Sequence, residues 1–174
     1  MPPDVPRRPR ERWSIDFVHD TLADGRVFRS LTVVDDFTGA CPLIAVDTSP
    51  PGGRVAEALD RPAGARRLPA WIVCDNGPGV TSRAFLAWTQ RRGVRLQFIR
   101  PGKPVENAFV ESFTGRFRDE CSNEQWFLSL PDARDLIECW RRDYNAVRPH
   151  SGLAGRTPAV FLLLCGRPTP SPEP

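Results

Sequence analysis

The stretch IVCDNGPGVTS, Ile72 to Ser82, decides how this chain of 174 residues folds. Trp71 to Cys74 is a short continuous apolar run, the pattern of a central strand covered on both faces. It ends in Asp75, and Asn76, Gly77, Pro78 and Gly79 then turn the chain before an amphipathic segment, SRAFLAWTQRRG, opens at Ser82 and stops at Gly93. A serine cap and a glycine stop fit a helix. A carboxylate at the carboxyl end of a central strand, opening a glycine-rich loop before a helix, lies on the edge where open α/β sheets bind their ligands.

Outward from this unit the same reading supplies the rest of the sheet. Upstream, WSIDFVHD, the turn-like ADGR and VFRSLTVVDDFTGACPLIAVD, which splits at DFTG, predict a three-strand antiparallel meander. RVAEALD after Gly52 and Gly53 reads as a helix that Pro62 and Gly64 should break early, at about 3 and 1 kcal/mol respectively. Downstream, VRLQFI predicts a fifth strand. A helix is expected from Val105 to Asp119 with Phe109, Phe113 and Phe117 as its buried stripe. A second helix should start at the capping signal SLPD and turn Ala133, Leu136, Ile137, Trp140 and Tyr144 inward. Ala159 to Cys165 is too short to span a bilayer and reads as a terminal helix, a core plug or a frayed tail. The sum is an α/β fold: a mixed five-stranded sheet, three antiparallel strands followed by parallel additions, flanked by helices.

Composition bounds the function. One domain accommodates this length, with a Pro/Arg-rich flexible lead-in over 1–11, a core over 12–162 and a Pro-rich tail over 163–174. A net charge of +3 permits an anionic partner without demanding one. Arginines recur in pairs, at 7 and 8, 66 and 67, 91 and 92, and 141 and 142, as phosphate contacts or as solvated surface. Five cysteines without CxxC spacing indicate neither a zinc cluster nor a disulfide framework and fit a reducing cytoplasm. No signal peptide or membrane-spanning run is visible, so no membrane partner is expected.

Three acids carry the chemistry. Asp16 alternates with Trp13, Ile15 and Phe17 and so faces the other side of its strand with Ser14 and Val18. Alone it reads equally as edge protection. Asp75 is the strand-end acid. Glu111 lies on a helix face with Asn107, Thr114 and Arg118, opposite the phenylalanines; alone it is a solvated glutamate. Together the three form a set of hard oxygen donors suited to Mg²⁺. Two such ions about 4 Å apart can clamp an in-line displacement at phosphorus. Cys74, inside a buried strand, reads as core rather than nucleophile.

WSIDF, VVDDFTG, IVCDNG, FIRPGKPVENAFVESFTGRFRDE and YNAVRPHSGL, in this order from Trp13 to Phe161, resemble the catalytic core of OrfB-type insertion-sequence transposases, the insertion-sequence-three family, which are relatives of retroviral integrases. The 35 residues between Asp75 and Glu111 match the spacing of that family's Asp-Asp-Glu motif. The resemblance implies a ribonuclease-H-like fold and DNA strand cleavage and transfer with two Mg²⁺ or Mn²⁺ ions. Asp16 would bridge them, and Asp75 and Glu111 would each hold mainly one. It implies as partners the element ends and target DNA, a homo-oligomer on DNA, and end recognition by a helix-turn-helix segment upstream or on a subunit from a separate reading frame. Asn76, Lys103, Asn107, Thr114, Arg118 and His150 are the candidate DNA contacts; for Asn76 an Asx turn and for His150 structural packing are equally open. The family continues its second motif as Asp-Asn-Gly-x-Glu-Phe, where this chain has Gly79 and Val80, a loss of one charge and one large apolar anchor. That departure keeps two other readings in play: a truncated or decayed fragment that only binds DNA or assembles, and a nuclease of the same fold that does not join strands.

Overall fold

The computed structural model describes residues 5–48, 52–63, 68–99 and 108–165. Strands β1 (Arg12–Thr21), β2 (Val27–Asp35) and β3 (Leu43–Asp47) precede helix α1 (Gly52–Ala63). Strand β4 (Trp71–Cys74), a short helix α2 (Pro78–Thr81), α3 (Arg83–Arg92) and β5 (Arg95–Phe98) follow. Helix α4 (Ala108–Phe117) runs into a π-helical turn over Arg118–Ser122, and α5 (Leu130–Ala146), a 3₁₀ turn at Ser151–Leu153 and α6 (Pro158–Cys165) complete the described chain.

The sheet order is β3-β2-β1-β4-β5. β1, β2 and β3 pair antiparallel, as the meander requires, and β4 and β5 add in parallel beside β1. Alternation along β1 separates two cores. Trp13 and Ile15 pack under α1 and α3 with Val55, Leu59, Phe85 and Trp88, and Phe17 borders that core. Val18 packs on the opposite face with Val110, Phe113, Phe117, Ile137 and Tyr144 of α4 and α5. Asp16 therefore faces the α4 side, as its register predicts.

The capping signals hold. The Ser82 hydroxyl accepts the Phe85 N–H, Gly93 closes α3 in the left-handed conformation with φ 67°, and Ser129 accepts the Asp132 N–H at the start of α5. Helix α1 differs: it begins at Gly52 and continues through Pro62 to Ala63. Pro62 stands one residue from the last assigned position, where the missing N–H removes one bond of the final turn and leaves the preceding turns intact. Gly64 lies outside the described residues. Arg10, near the end of the lead-in, is tied to the core, its N–H donating to Asp35 Oδ2 at 2.7 Å and its carbonyl accepting the Ala70 N–H at 3.1 Å. Arg141 and Arg142 both engage Glu138, so that arginine pair is structural.

The stripe of α4 is corrected. Phe113 and Phe117 are buried, but Phe109 is 41% exposed and Val110 takes the inward position. A spacing of four advances 400°, so a strict i, i+4, i+8 row drifts around the helix; the core is met by 110, 113, 114 and 117 instead. Thr114, expected on the exposed face, is 3% exposed for the same reason.

One buried ion pair links β1 to the turn after β2. Arg12 Nε meets Asp36 Oδ2 at 2.6 Å, and the Ser14 hydroxyl donates to the same oxygen at 2.8 Å. Burial pushes the Asp36 carboxyl up to about 6 despite Ser14 and Arg12, which pull it down.

Two outcomes are expected. Phe117→Ala should destabilise the fold by about 3–5 kcal/mol, whereas Phe109→Ala should change stability by less than about 1 kcal/mol, measured by urea unfolding. The raised carboxyl of Asp36 also sets a sign. Between the ordinary value of 3.8 and about 6 the folded protein holds more protons than the unfolded chain, so the Asp36 contribution weakens as pH rises through that window. The difference in urea midpoint between wild type and Asp36→Asn should change with pH across that window and level off above it; a pH-independent difference would contradict the assignment.

Candidate active site

The register of β1 on β4 builds the site. Arg12 pairs with Trp71, Trp13 with Ile72 and Ser14 with Val73, so two further residues along each parallel strand bring Asp16 abreast of Asp75. Asp16 is raised above the ordinary carboxylate range, chiefly by burial and further by the Asp75 charge; the Phe17 N–H, the Thr114 hydroxyl and Arg118 oppose the shift.

Each acid is oriented locally. Asp16 Oδ1 accepts the N–H of Phe17 at 2.8 Å, and its Oδ2 accepts the Thr114 hydroxyl at 3.3 Å. Asp75 leaves the sheet and is exposed, and its Oδ1 accepts the Gly77 N–H at 3.1 Å in an Asx turn. The Asx turn weighed for Asn76 thus belongs to Asp75. Asn76 is exposed beside it. Thr114 was missed as a partner of Asp16 because helix-wheel angles referred to the wrong buried centre placed it in solvent.

The loop after Asp75 is anchored differently from the expectation. Val80 is fully buried in the core under α1 and α3, so an apolar anchor is kept. A Cβ added to Gly79 would lie 3.1 Å from Phe17 Cζ, so this position is small because the ring of Phe17, next to Asp16, occupies the space. Cys74 is core: burial and the Asp75 charge push its thiol up to about 12, which leaves it protonated and unreactive.

Glu111 lies in the first turn of α4 and is exposed. It shares the helix with Thr114 and Arg118, and Arg118 is close enough to act on the Asp16 carboxyl. Helix α4 is gripped at its far end as well, where the Ser122 hydroxyl of the π-turn donates to Asp20 Oδ2. Among the described residues no three His, Cys, Asp or Glu side chains stand together as one metal-binding group. The structure sets Asp16 beside Asp75 and carries Glu111 on the helix whose Thr114 touches Asp16. His150 is buried at 8% exposure, its ring edge-on to Tyr144 at 4.7 Å, which is the packing alternative. Lys103 and Asn107 lie outside the described residues.

Residues 6–104 match the family described as integrase core domain, and residues 92–158 match a second family with the same description. The chain belongs to the integrase core domain family. This integrase core is 52% identical over 153 residues to an uncharacterized 39.2 kDa protein of insertion element IS476 from Xanthomonas euvesicatoria, covering 88% of this chain and 44% of that one. It is 51% identical over 157 residues to an uncharacterized 31.7 kDa protein of insertion element IS407 from Burkholderia multivorans, covering 90% and 57%. A more distant relative, 26% identical, is the transposase InsF of insertion sequence IS3A from Escherichia coli, with 88% and 54% covered. These matches bear out the resemblance to insertion-sequence-three transposases. The integrase core spans about half the length of the curated relatives it matches.

Solved structures agree in fold. A chain of the simian T-cell lymphotropic virus intasome, determined with the PP2A regulatory subunit B56γ, superposes with a TM-score of 0.79 at 19% identity, covering 98% of this chain and 60% of that one. The catalytic core of HTLV-2 integrase, determined with magnesium in a trimeric form, gives 0.72 at 17% identity, covering 88% and 97%. The fold is ribonuclease-H-like. No helix among the described residues is long and apolar enough to cross a membrane.

The tight seat of Gly79 predicts that Gly79→Ala pushes the Phe17 ring and costs about 1 kcal/mol of stability in urea unfolding; an unchanged midpoint would show that Phe17 yields freely.

Proposed function

We propose that this integrase core catalyses DNA strand cleavage and transfer for an insertion element, with Asp16, Asp75 and Glu111 as the ligands of one or two Mg²⁺ or Mn²⁺ ions. The observation that carries the reading is the juxtaposition of Asp16 and Asp75, two acids close enough for one charge to raise the other's affinity for protons. Such a pair favours a hard cation that removes the repulsion, and both groups offer the oxygen donors it requires.

When bound, the metal supplies neutralisation of the phosphate oxygens and an acidified attacking hydroxyl. The chain's own residues prepare that place. The Phe17 N–H and Thr114 hydroxyl hold Asp16 in one rotamer, and the Gly77 N–H does the same for Asp75. Glu111, in the first turn of α4, would complete the set. Arg118, exposed directly after α4, meets the incoming phosphodiester backbone, as do Asn76, Lys103 and Asn107. Water attacks phosphorus at the element end, the bond to the 3′ oxygen breaks, and a 3′-hydroxyl is freed. That hydroxyl then attacks a target phosphodiester, and the displaced strand leaves with its own hydroxyl. No enzyme nucleophile is required.

The element ends and target are its DNA partners. Assembly on DNA as a homo-oligomer, end recognition by a helix-turn-helix segment or subunit, and action in the cytoplasm complete the reading. The departure at Gly79 and Val80 sets one alternative, a module that binds DNA and assembles without cutting.

The test is a joining assay with Mn²⁺, a donor oligonucleotide carrying the element's end, and a plasmid target. Wild type should give joined product, and Asp16→Asn, Asp75→Asn and Glu111→Gln should each lower it by at least about 100-fold, since each removes several kcal/mol of transition-state stabilisation. Binding without nicking would support the assembly module, and nicking that persists in Asp75→Asn would remove the mechanism.

A further inference from the structure

Helix α4 has two working flanks. At 100° per residue Glu111 and Arg118 fall on one, and Phe109, Ser112 and Arg116 fall on the other. The second flank walls a pocket of about 390 Å³, closed by the turn after β2 through Phe37 and by the segment after α5 through His150 and Ser151. That volume is at the small end of ligand sites, a size for one nucleotide and not for a duplex.

Its chemistry is mixed. Arg116 has no carboxylate partner among the described residues; its guanidinium contacts His150 Nδ1 at 3.4 Å and the Tyr144 side chain. His150 is held below its ordinary value, chiefly by burial and also by Arg116 and Arg148, so it accepts from Arg116 and does not neutralise it. The pocket therefore carries a guanidinium whose charge its own neighbours leave uncompensated. Ser112 and Ser151 are exposed hydroxyls of the same wall.

The second component is an aromatic platform. Phe109 is 41% exposed, although two of the next eight residues are phenylalanines turned fully inward. One ring face is backed by the Arg12 guanidinium, 5.2 Å from the centroid. Arg12 is in turn fixed by the buried Asp36, itself held by Ser14. Asp36 belongs to the pocket wall, and its Oδ1 is buried without a hydrogen-bond partner among the described residues. A buried ion pair that retains an unmet acceptor is an expensive support for a surface ring, and it leaves that ring rigid and available for stacking.

We infer that this pocket binds one unpaired nucleotide of a DNA strand, with the base stacked on Phe109 and the phosphate at Arg116. A guanidinium beside a stacking ring is the usual apparatus for single-stranded nucleic acid, whose bases expose the faces that a duplex hides. The inference rests on the reading that the integrase core acts on DNA, but it concerns the flank of α4 opposite Glu111 and needs no metal.

Binding in EDTA separates the two. Fluorescence anisotropy would compare a short oligothymidylate with an abasic oligomer of the same length. Wild type should prefer oligothymidylate. Phe109→Ala should weaken that binding roughly 5- to 100-fold and erase the preference, and Phe109→Trp should retain it. Arg116→Gln should lower the salt slope by about 0.7, the loss of one single-strand phosphate contact. An oligomer carrying 5-iododeoxyuridine should photo-crosslink to the peptide containing Phe109. Equal affinity of wild type for the two oligomers, no binding of either, unchanged binding by Phe109→Ala, or crosslinks only elsewhere would each overturn the inference. Failure of the joining assay leaves these readouts intact, and joining with Phe109-independent binding removes the pocket alone.

Discussion

The parallel pairing of β1 with β4 is the constraint on which the rest of the structure depends. Among the described residues β1 alone has an antiparallel neighbour on one side and a parallel one on the other, so it joins the meander to the α/β half of the sheet. Its register also sets the chemistry. A shift of one residue would turn Asp16 into the core beneath α1 and α3 and expose Ile15 on the α4 side. The apolar alternation that buries Trp13 and Ile15 on one face and Val18 on the other thus fixes where the carboxylate stands.

Helix α4 is the second determinant, and it is attached to β1 by chemistry as well as by packing. Val110, Phe113 and Phe117 enter the core, while Thr114 reaches Asp16 and Ser122 reaches Asp20. Two β1 carboxylates thereby hold one helix that carries the third acid. The π-turn at Arg118–Ser122 follows the first attachment and carries the second at its end, and its extra residue per turn alters the direction in which side chains leave the helix. So held, the helix presents Glu111 and Arg118 on one flank and an aromatic-lined pocket on the other.

Most of the fold was legible in the sequence because its signals are local. The continuous run WIVC, the alternation in WSIDFVHD, the DFTG turn, the caps Ser82 and Ser129 and the stop Gly93 each rest on neighbours within a few residues, and each stands as expected. The pairing of Asp16 with Asp75 was legible from strand order. What failed depended on tertiary choices. The wheel of α4 had its apolar residues correctly spaced, but which of Phe109 and Val110 turns inward is decided by the surface it meets. Thr114 was assigned to solvent for that reason. α1 passes through Pro62, and a short helix, α2, forms where a loop was expected because Val80 has a buried site to fill. The sequence departure at Gly79 likewise has a spatial reason, the ring of Phe17.

The central claim is that Asp16, Asp75 and Glu111 share a divalent cation. Crystals of the protein grown with Mn²⁺ and measured for anomalous scattering address it directly. The account predicts an anomalous peak within coordination distance of the Asp16 and Asp75 carboxylates, about 2.0–2.2 Å, with Glu111 on the same ion or on a second one beside it. A peak confined to other residues, or Asp16 and Asp75 left metal-free at saturating Mn²⁺, would contradict it.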